Sequence, residues 1–178
     1  MIGPSNPRSL FLLRHASAEN VLDGPDKSRP LSARGRREAT AVGVELREMG
    51  IDFVLCSSAV RTRETLDLLN LVAAIPVEFR DILYVCGTNT LLQHVGQLSD
   101  AHYRVLVVGH SPTIPGLSAR IASGAHPKEA ENLWSNFPPA TWTEFDIAGP
   151  WDALARMPYA LGTLVDTRRP PLSTPGDR

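Results

Sequence analysis

The clearest pattern along the chain is a set of short apolar runs, each followed at once by polar or charged residues. The three runs cover residues 10–13, 53–56 and 105–108. Continuous apolar runs of this length are typical of strands buried on both faces, as in a parallel or mostly parallel sheet. The pattern therefore predicts three central strands of a sheet that is covered by other elements on both sides.

Segments with apolar residues at helical spacing lie between and after these runs. They predict helices over residues 32–49, 58–74 and 89–98, and a further helix that begins at Ser111 and Pro112. Residues 141–147 and 159–166 are predicted as additional strands, and residues 21–30, which are rich in Gly, Pro and Asp, as a loop. Strands that alternate with helices indicate an α/β fold, here a three-layer α/β/α sandwich with a mostly parallel central sheet.

The length of the chain predicts a single domain. Its 178 residues are close to the usual size of one unit, and we place that unit at residues 8–167. The ends, residues 1–7 and 168–178, are rich in proline and polar residues, and we expect them to be flexible tails.

Charge and composition exclude several classes of partner. The formal net charge is −1, from 18 basic and 19 acidic residues, which argues against a nucleic-acid or anionic-membrane binder. No apolar run approaches the roughly 20 residues that span a bilayer, and no signal peptide is visible. The 2 cysteines are too few for a disulfide scaffold or a Cys-rich zinc site. We therefore expect a reduced, cytoplasmic protein; nothing in the sequence indicates its oligomeric state.

Cationic side chains follow the predicted strands. Arg14 and His15 come directly after the first run, Arg61 lies shortly after the second, and His110 follows the third. Ligands of open α/β sheets bind beyond the carboxyl ends of the strands, so these four side chains should converge there. Guanidinium groups match phosphate oxygens bidentately, and helix N-termini add backbone donors. The sequence therefore predicts a phosphoryl site with Arg14, Arg61 and His110 as phosphate-binding residues.

One histidine of this set is the better candidate for a nucleophile. Neutral imidazole is nucleophilic near pH 7, and flanking cations stabilise the charge of a phosphoryl group. His15 lies directly beside Arg14 at a strand end, whereas His110 is expected to stabilise phosphoryl oxygens.

Three motifs around these residues carry a family resemblance. Arg14-His15-Ala16 looks like the Arg-His-Gly signature of the histidine phosphatase (phosphoglycerate mutase-like) superfamily, with Ala16 in place of glycine. Residues 57–65 resemble its second motif, which places Arg61 in the pocket, and residues 107–112 resemble its third, which places His110 there. Residues 29–35 and 81–84, and the pair 145–146 together with 149–151, are similar to its small SixA-type phosphohistidine phosphatase branch.

The resemblance covers residues 8–167 and implies a phosphoglycerate mutase-like fold and a two-step mechanism. His15 would attack phosphorus, and water would then hydrolyse phospho-His15, while Arg14, Arg61 and His110 hold the phosphoryl oxygens. No metal and no cofactor are implied. The implied partner is a phosphorylated protein, carrying phosphohistidine, or a small phosphorylated substrate.

The general acid is the weakest element of this resemblance. Larger family members place a glutamate in an inserted helical region, but the chain between Ala74 and Asn89 leaves little room for one. Asp81 and Glu19 are candidates by position. An imidazole leaving group, whose pKa is about 6.5, departs far more readily than an alkoxide. A site without a strong acid would therefore favour N–P over alkyl O–P substrates.

Two other functions stay open at this point. The first is a small-molecule phosphomonoesterase of the same superfamily, and the second is a catalytically silent phosphate-binding regulatory module.

Among nearby polar residues, Ser57 and Ser58 are expected to cap a helix, and Arg63 to point to another face of that helix. A group of arginines early in the first helix is expected to form a solvated face or to help dock an acidic protein: Arg34, Arg36 and Arg37.

Overall fold

One mixed sheet organises the part of the chain that the structure describes. The computed structural model describes residues 7–20, 24–71 and 74–169. Within them, six strands pair in the order β3-β2-β4-β1-β5-β6. The strands are β1 Arg8–Arg14, β2 Phe53–Ser57, β3 Val77–Arg80, β4 Arg104–Gly109, β5 Trp142–Ile147 and β6 Gly162–Arg168. Strands β1, β4, β2 and β3 pair in parallel, whereas β5 and β6 are antiparallel to their neighbours.

Helices cover both faces of this sheet. They are α1 Ala33–Leu46, α2 Val60–Leu69, α3 Thr88–Gly96, α4 Thr113–Ala122, α5 Pro127–Ser135, α6 Trp151–Arg156 and α7 Pro158–Leu161. Short 3-10 helices lie at Asp26–Ser28, Arg47–Met49 and Asp81–Tyr84. Apolar residues of α1 and α2 form one core with one face of the sheet, and those of α3 to α6 form the other. The predicted three-layer α/β/α sandwich is confirmed.

The central strands divide their side chains between the two cores. Leu10 and Leu12 of β1 pack into the core with α3 to α6, whereas Phe11 and Leu13 pack into the core with α1 and α2. Successive side chains of a strand point to opposite faces, so a strand with helices on both faces must be apolar at every position. This is the physical reason for the continuous apolar runs in the sequence.

Close contact between α1 and the chain after β1 defines one wall of the sheet's carboxyl edge. Ser32 caps α1 by accepting a hydrogen bond from the Gly35 amide at 3.1 Å. The Ser32 amide and hydroxyl both donate to the Ser17 carbonyl, at 3.0 and 3.1 Å. A Cβ atom at Gly35 would lie 1.9 Å from that same carbonyl oxygen. Only glycine therefore lets the start of α1 lie against the residues that follow His15.

The predicted strand over residues 159–166 is wrong in its first part. Residues 158–161 form α7, and the strand β6 starts at Gly162 and runs to Arg168. Pro158 occupies the first turn of α7, where its fixed φ suits a helix and its missing N–H is not needed. Helices α5 and α6 and the edge strand β3 were not predicted.

Several predicted boundaries also differ. The helix expected over residues 58–74 is α2, which starts at Val60 and ends at Leu69, and residues 72 and 73 of that prediction lie outside the described residues. The α4 helix has Pro112 and not Ser111 at its N-cap. The loop expected over residues 21–30 contains the 3-10 helix Asp26–Ser28, although residues 21–23 are not described. Most of the two expected tails also lies outside the described residues.

Candidate active site

The four cationic residues predicted to converge lie at one edge of the sheet. Arg14 is the last residue of β1 and His15 the next; His110 directly follows β4, and Arg61 lies in the first turn of α2, after β2. Because β4 lies between β1 and β2 in a parallel arrangement, their carboxyl ends are neighbours. The His15 and His110 rings are 5.2 Å apart between centroids, and the Arg61 Nε is 3.3 Å from His15 Nε2.

The hydrogen bonds of His15 define its tautomer. Its Nδ1 is 2.7 Å from the carbonyl oxygen of Ala16, which can only accept, so Nδ1 carries the proton. On the other side, the Arg61 Nε–H donates towards His15 Nε2, which must then hold a lone pair. Burial first, and then the charges of Arg61 and Arg14, lower the pKa of His15 to about 4, although the hydrogen bond with the Ala16 carbonyl raises it. At neutral pH the ring is therefore neutral, with its lone pair in the pocket.

The chain after His15 is fixed by buried hydrogen bonds. The Ala16 amide donates to Thr65 Oγ1 at 3.1 Å, and that hydroxyl donates to the Arg61 carbonyl at 2.7 Å. The Ser17 amide donates to the buried carboxylate of Glu38 at 2.9 Å. Thr65 thus connects the main chain beside His15 to the main chain of Arg61. This link fixes the position of the two residues relative to each other.

Arg61 is a buried guanidinium with a partner for each of its nitrogens. Besides the contact with His15, its Nη1 donates to the Asp26 carbonyl at 2.7 Å and its Nη2 to the Asp26 carboxylate at 2.9 Å. The Asp26 carboxylate also accepts from Arg29 at 2.7 Å and from the Tyr84 hydroxyl at 2.8 Å. Arg29 and Tyr84, followed by Arg61, hold the pKa of Asp26 well below its usual range. Asp26 is therefore an anion at any pH near neutrality.

His110 is held from behind by a buried serine. Its Nε2 is 2.8 Å from Ser57 Oγ, and its Nδ1 is buried without a hydrogen-bond partner among the described residues. Burial first, and then His15 and Arg61, lower the pKa of His110 to about 3, so this ring is also neutral at pH 7. The Tyr84 ring meets it edge-on at 5.6 Å. A buried nitrogen without a partner is a group that a bound ligand can satisfy.

Arg14 supplies the least compensated charge of the site. Its Nη1 donates to the Phe137 carbonyl at 2.7 Å, and its buried Nε has no partner among the described residues. No carboxylate in the described part of the chain forms an ion pair with it, in contrast to Arg61. Burial lowers the pKa of Arg14. The pocket thus combines the Arg14 guanidinium, which has no described carboxylate partner, the oriented Arg61 guanidinium and the lone pair of His15. This combination suits a bound anion with an electrophilic centre.

Neither of the two acid candidates has a described hydrogen bond or ion pair with the four cationic residues. Asp81 is 81% exposed, and it accepts from Lys27 Nζ at 2.9 Å and from the Ser58 hydroxyl. Hydrogen bonds from Ser58 and Lys27 lower the pKa of Asp81, which opposes a proton-donating role near neutral pH. Glu19 is exposed, and its described hydrogen bonds use only its main chain, with Pro30 and Arg29.

Some of the other polar residues near the motifs have different roles from those expected. The prediction that Ser57 and Ser58 cap a helix is wrong, because Ala59 is the N-cap of α2, although the Ala59 amide donates to Ser57 Oγ at 3.4 Å. Ser57 also contacts His110, and Ser58 contacts Asp81. Arg63 lies 4.3 Å above the ring of Phe79, as its different helix face implied. Two of the arginines expected on a solvated face form ion pairs, Arg34 with Glu38 and Arg36 with Glu64.

Sequence reasoning missed the acidic and phenolic residues of the site. Asp26 lies in a stretch whose composition indicates only a loop, and Tyr84 in a short segment without a clear period. Ser57 was visible as the start of a motif, but its contact with His110 was not predicted.

Within the described ranges, no group of three or more His, Cys, Asp or Glu side chains could hold a metal ion. Nor is any helix there long and apolar enough to cross a membrane.

Comparison with known proteins agrees with these motifs. The family model of the histidine phosphatase superfamily (branch 1) matches residues 10–84. An uncharacterized protein of Mycobacterium tuberculosis is 34% identical over 143 residues, which cover 78% of this chain and 89% of that protein.

Solved structures extend the likeness to nearly the whole chain. A candidate phosphohistidine phosphatase SixA from Nakamurella multipartitia has a TM-score of 0.81 at 35% identity, covering 95% of this chain and 99% of its own. A second candidate SixA, from Agrobacterium tumefaciens, has a TM-score of 0.75 at 25% identity, covering 93% of this chain and 100% of its own.

Proposed function

Because the chain belongs to the histidine phosphatase superfamily, we propose that it hydrolyses phosphohistidine on proteins through a covalent phospho-His15 intermediate. Family membership and phosphatase structural neighbours support phosphatase activity. The likeness to two candidate phosphohistidine phosphatases supports the narrower substrate. The observation that carries the proposal is the state of His15, whose Nδ1–H is fixed on a carbonyl while its Nε2 lone pair lies beside Arg61.

In the first step, the Nε2 lone pair of His15 attacks the phosphorus atom of the substrate. A new N–P bond forms while the bond between phosphorus and the leaving nitrogen breaks, and its electron pair leaves with that nitrogen. Arg14 and Arg61 hold the phosphoryl oxygens and stabilise their charge, and His110 donates to them from its unpartnered Nδ1. A substrate imidazole protonated at its second nitrogen departs as a neutral ring, so no acid at the scissile nitrogen is needed.

In the second step, a water molecule attacks the phosphorus of phospho-His15. The P–Nε2 bond breaks, its electron pair returns to Nε2, and the protons of the water leave with orthophosphate or pass to solvent. The Nδ1–H that is held by Ala16 gives phospho-His15 the charge of an imidazolium ring. The ring therefore departs as a neutral imidazole, by the same logic as the substrate in the first step.

The acidic residues near the site support a preference for N–P bonds. Asp26 is an ion-paired anion, Asp81 is an exposed ion-paired anion, and His15 and His110 are both neutral. General acid catalysis is worth roughly 10²–10⁴-fold in rate, and an alkoxide leaving group needs it most. We therefore propose that alkyl phosphates are poor substrates of this protein.

A panel of substrates tests the proposal. The protein is incubated with a phosphorylated histidine-containing protein domain, an aryl phosphate and a set of sugar phosphates, with and without EDTA. We expect turnover of the first two, sugar phosphates slower by about 100-fold or more, and no effect of EDTA. Comparable rates on sugar phosphates would favour the small-molecule phosphomonoesterase, and loss of activity in EDTA would contradict the mechanism.

One observation favours a second candidate, a catalytically silent phosphate-binding module. None of the acidic side chains in the described contacts of the site is poised to donate a proton. Such a module would bind orthophosphate without releasing any from the substrate panel. An acid-labile phosphoryl group trapped on the protein after rapid quenching would exclude it. Cytoplasmic location and the lack of nucleic-acid and membrane partners stay predictions.

A further inference from the structure

The 3-10 helix Asp26–Ser28 brings an acidic residue to the outer side of the pocket, where the reaction proposed above assigns it no part. Its first residue, Asp26, contacts Arg61 twice, through its main-chain carbonyl at 2.7 Å and through its carboxylate at 2.9 Å. The Arg61 side chain is only 8% exposed, whereas that of Asp26 is 50% exposed. A mostly buried cation is therefore held by an anion that stands between it and solvent.

The distribution of donors on Arg61 shows what this contact does. Its two terminal nitrogens, Nη1 and Nη2, donate to Asp26, and its inner Nε faces His15 Nε2 at 3.3 Å. A guanidinium is planar and its donors form a rigid fork, so fixing the terminal end also fixes the direction of the Nε–H. Asp26 thus binds the two terminal nitrogens of Arg61. The Nε–H beside His15 Nε2 stays directed at the place where a phosphoryl oxygen would bind.

Asp26 is itself held from two other directions. Arg29 donates to its carboxylate at 2.7 Å, and the Tyr84 hydroxyl donates at 2.8 Å. Arg29 also donates to the Glu19 carbonyl at 2.8 Å, which connects Asp26 to the chain that follows His15. Lys27 pairs with Asp81 at 2.9 Å, which joins the same 3-10 helix to the one that carries Tyr84.

We propose that Asp26 is a positioning residue, which orients the Arg61 guanidinium towards a phosphoryl group on His15. This inference rests on the proposed function. Asp26 does not touch the reacting atoms; it acts through Arg61, and Arg29 and Tyr84 keep its carboxylate in place. The acidic residue at the rim therefore assists the binding of an anion, although its own charge is negative.

A double-mutant cycle tests this role. kcat/KM for an aryl phosphate is measured in the wild-type protein, Asp26→Ala, Arg61→Ala and the double variant. We expect Asp26→Ala to lower kcat/KM about tenfold in the wild-type background, the size of a coupling between contacting charged groups, and less than twofold when Arg61 is alanine. Asp26→Asn, which keeps an acceptor oxygen, should recover part of the loss. An equal loss in both backgrounds would overturn the inference, as would a gain in kcat/KM on removing Asp26.

A second measurement separates this inference from the proposed function. The ¹⁵N–¹H NMR signal of the Arg61 Nε–H, identified by its absence in Arg61→Lys, should shift or broaden in Asp26→Ala. It should not change in Asp152→Asn, which breaks an exposed ion pair with Arg156 on α6. If the signal depends on Asp26 but no substrate is turned over, the proposed function fails and the positioning role stands. If the signal is unchanged in Asp26→Ala, the positioning role fails whatever the activity.

Discussion

The inner and outer parts of the candidate site are built from different interactions. In the inner part, His15 is held by the Ala16 carbonyl and His110 by the Ser57 hydroxyl, both neutral partners out of solvent. In the outer part, ion pairs join the 3-10 helices Asp26–Ser28 and Asp81–Tyr84 to each other and to Arg61. Burial and the nearby arginines keep the two rings uncharged, and the neutral partners orient them, whereas the ionic partners of the outer part orient charged side chains.

This contrast predicts that changes in the inner part have larger effects than changes in the outer part. Buried groups lose the full free energy of a partner when it is removed, because water cannot replace it. Exposed ion pairs exchange with water and are screened by salt, and they contribute about 0–1 kcal/mol each.

His15→Ala should have the largest effect. Without the Nε2 lone pair no phosphoryl-enzyme can form, and loss of a covalent nucleophile costs about 10⁴-fold or more in kcat. Steady-state hydrolysis of an aryl phosphate measures it, with circular dichroism and thermal unfolding as controls for the fold. Activity retained in a folded His15→Ala protein would assign the nucleophile to another residue.

Acid should lower the stability of the protein through the two histidines of the inner part. The pKa values of His15 and His110 are lowered to about 4 and about 3 in the folded protein, against an ordinary value of 6.5. Between these values the unfolded chain binds more protons, so the free energy of unfolding is complete above pH 6.5 and falls as the pH drops towards 4. Urea unfolding should give a free energy of unfolding that is lower at pH 5 than at pH 7, by on the order of 1 kcal/mol or more. Equal stabilities at the two pH values would contradict the burial of two neutral rings.

Ser57→Ala should destabilise the protein and impair catalysis. It leaves the buried His110 Nε2 without its 2.8 Å partner, which costs about 1–3 kcal/mol, and it frees the ring to rotate. Urea unfolding and hydrolysis of an aryl phosphate measure the two effects. The matched control is Ser135→Ala, which removes an exposed hydroxyl at the end of α5 and should change neither. Equal behaviour of the two variants would remove Ser57 from the site.

Asp81→Asn should have the smallest effect of the four. Its carboxylate is exposed and paired with Lys27, so we expect less than a twofold change in turnover of phosphohistidine and no measurable change in the urea midpoint of unfolding. The pH profile of kcat is measured beside that of Asp152→Asn. If Asp81→Asn lost activity about 100-fold together with the basic limb of the profile, Asp81 would be the general acid after all.

The sequence predicted the centre of the fold better than its margins. Strands β1, β2 and β4 are buried on both faces, so each contains a run of four consecutive apolar residues that stands out in the sequence. The edge strand β3 has four residues, with Val77 and Phe79 each 41% exposed, and no such run marks it. The sequence does not distinguish helix α7 from the strand β6 that follows it directly, because a single turn of helix carries no period.

The same division holds for the candidate site. Arg14, His15 and His110 follow strands directly, and α2 places Arg61 in its first turn, so the topology of a parallel sheet is enough to bring them together. Asp26 reaches Arg61 from 35 positions away, along a path that no local pattern encodes. Tyr84 likewise meets Asp26 across 58 positions. Contacts made by loops depend on the finished fold, and the sequence alone does not reveal them.

The packing at Gly35 has a consequence for mutational scans of this protein. Any side chain there would collide with the Ser17 carbonyl and push the start of α1 away from the residues after His15. Position 35 should therefore tolerate substitution as poorly as the pocket itself, although it has no functional group to lose. A map of positions that do not tolerate substitution would therefore group Gly35 with the catalytic residues. Only the structure distinguishes a residue that takes part in the reaction from one that must be small for steric reasons.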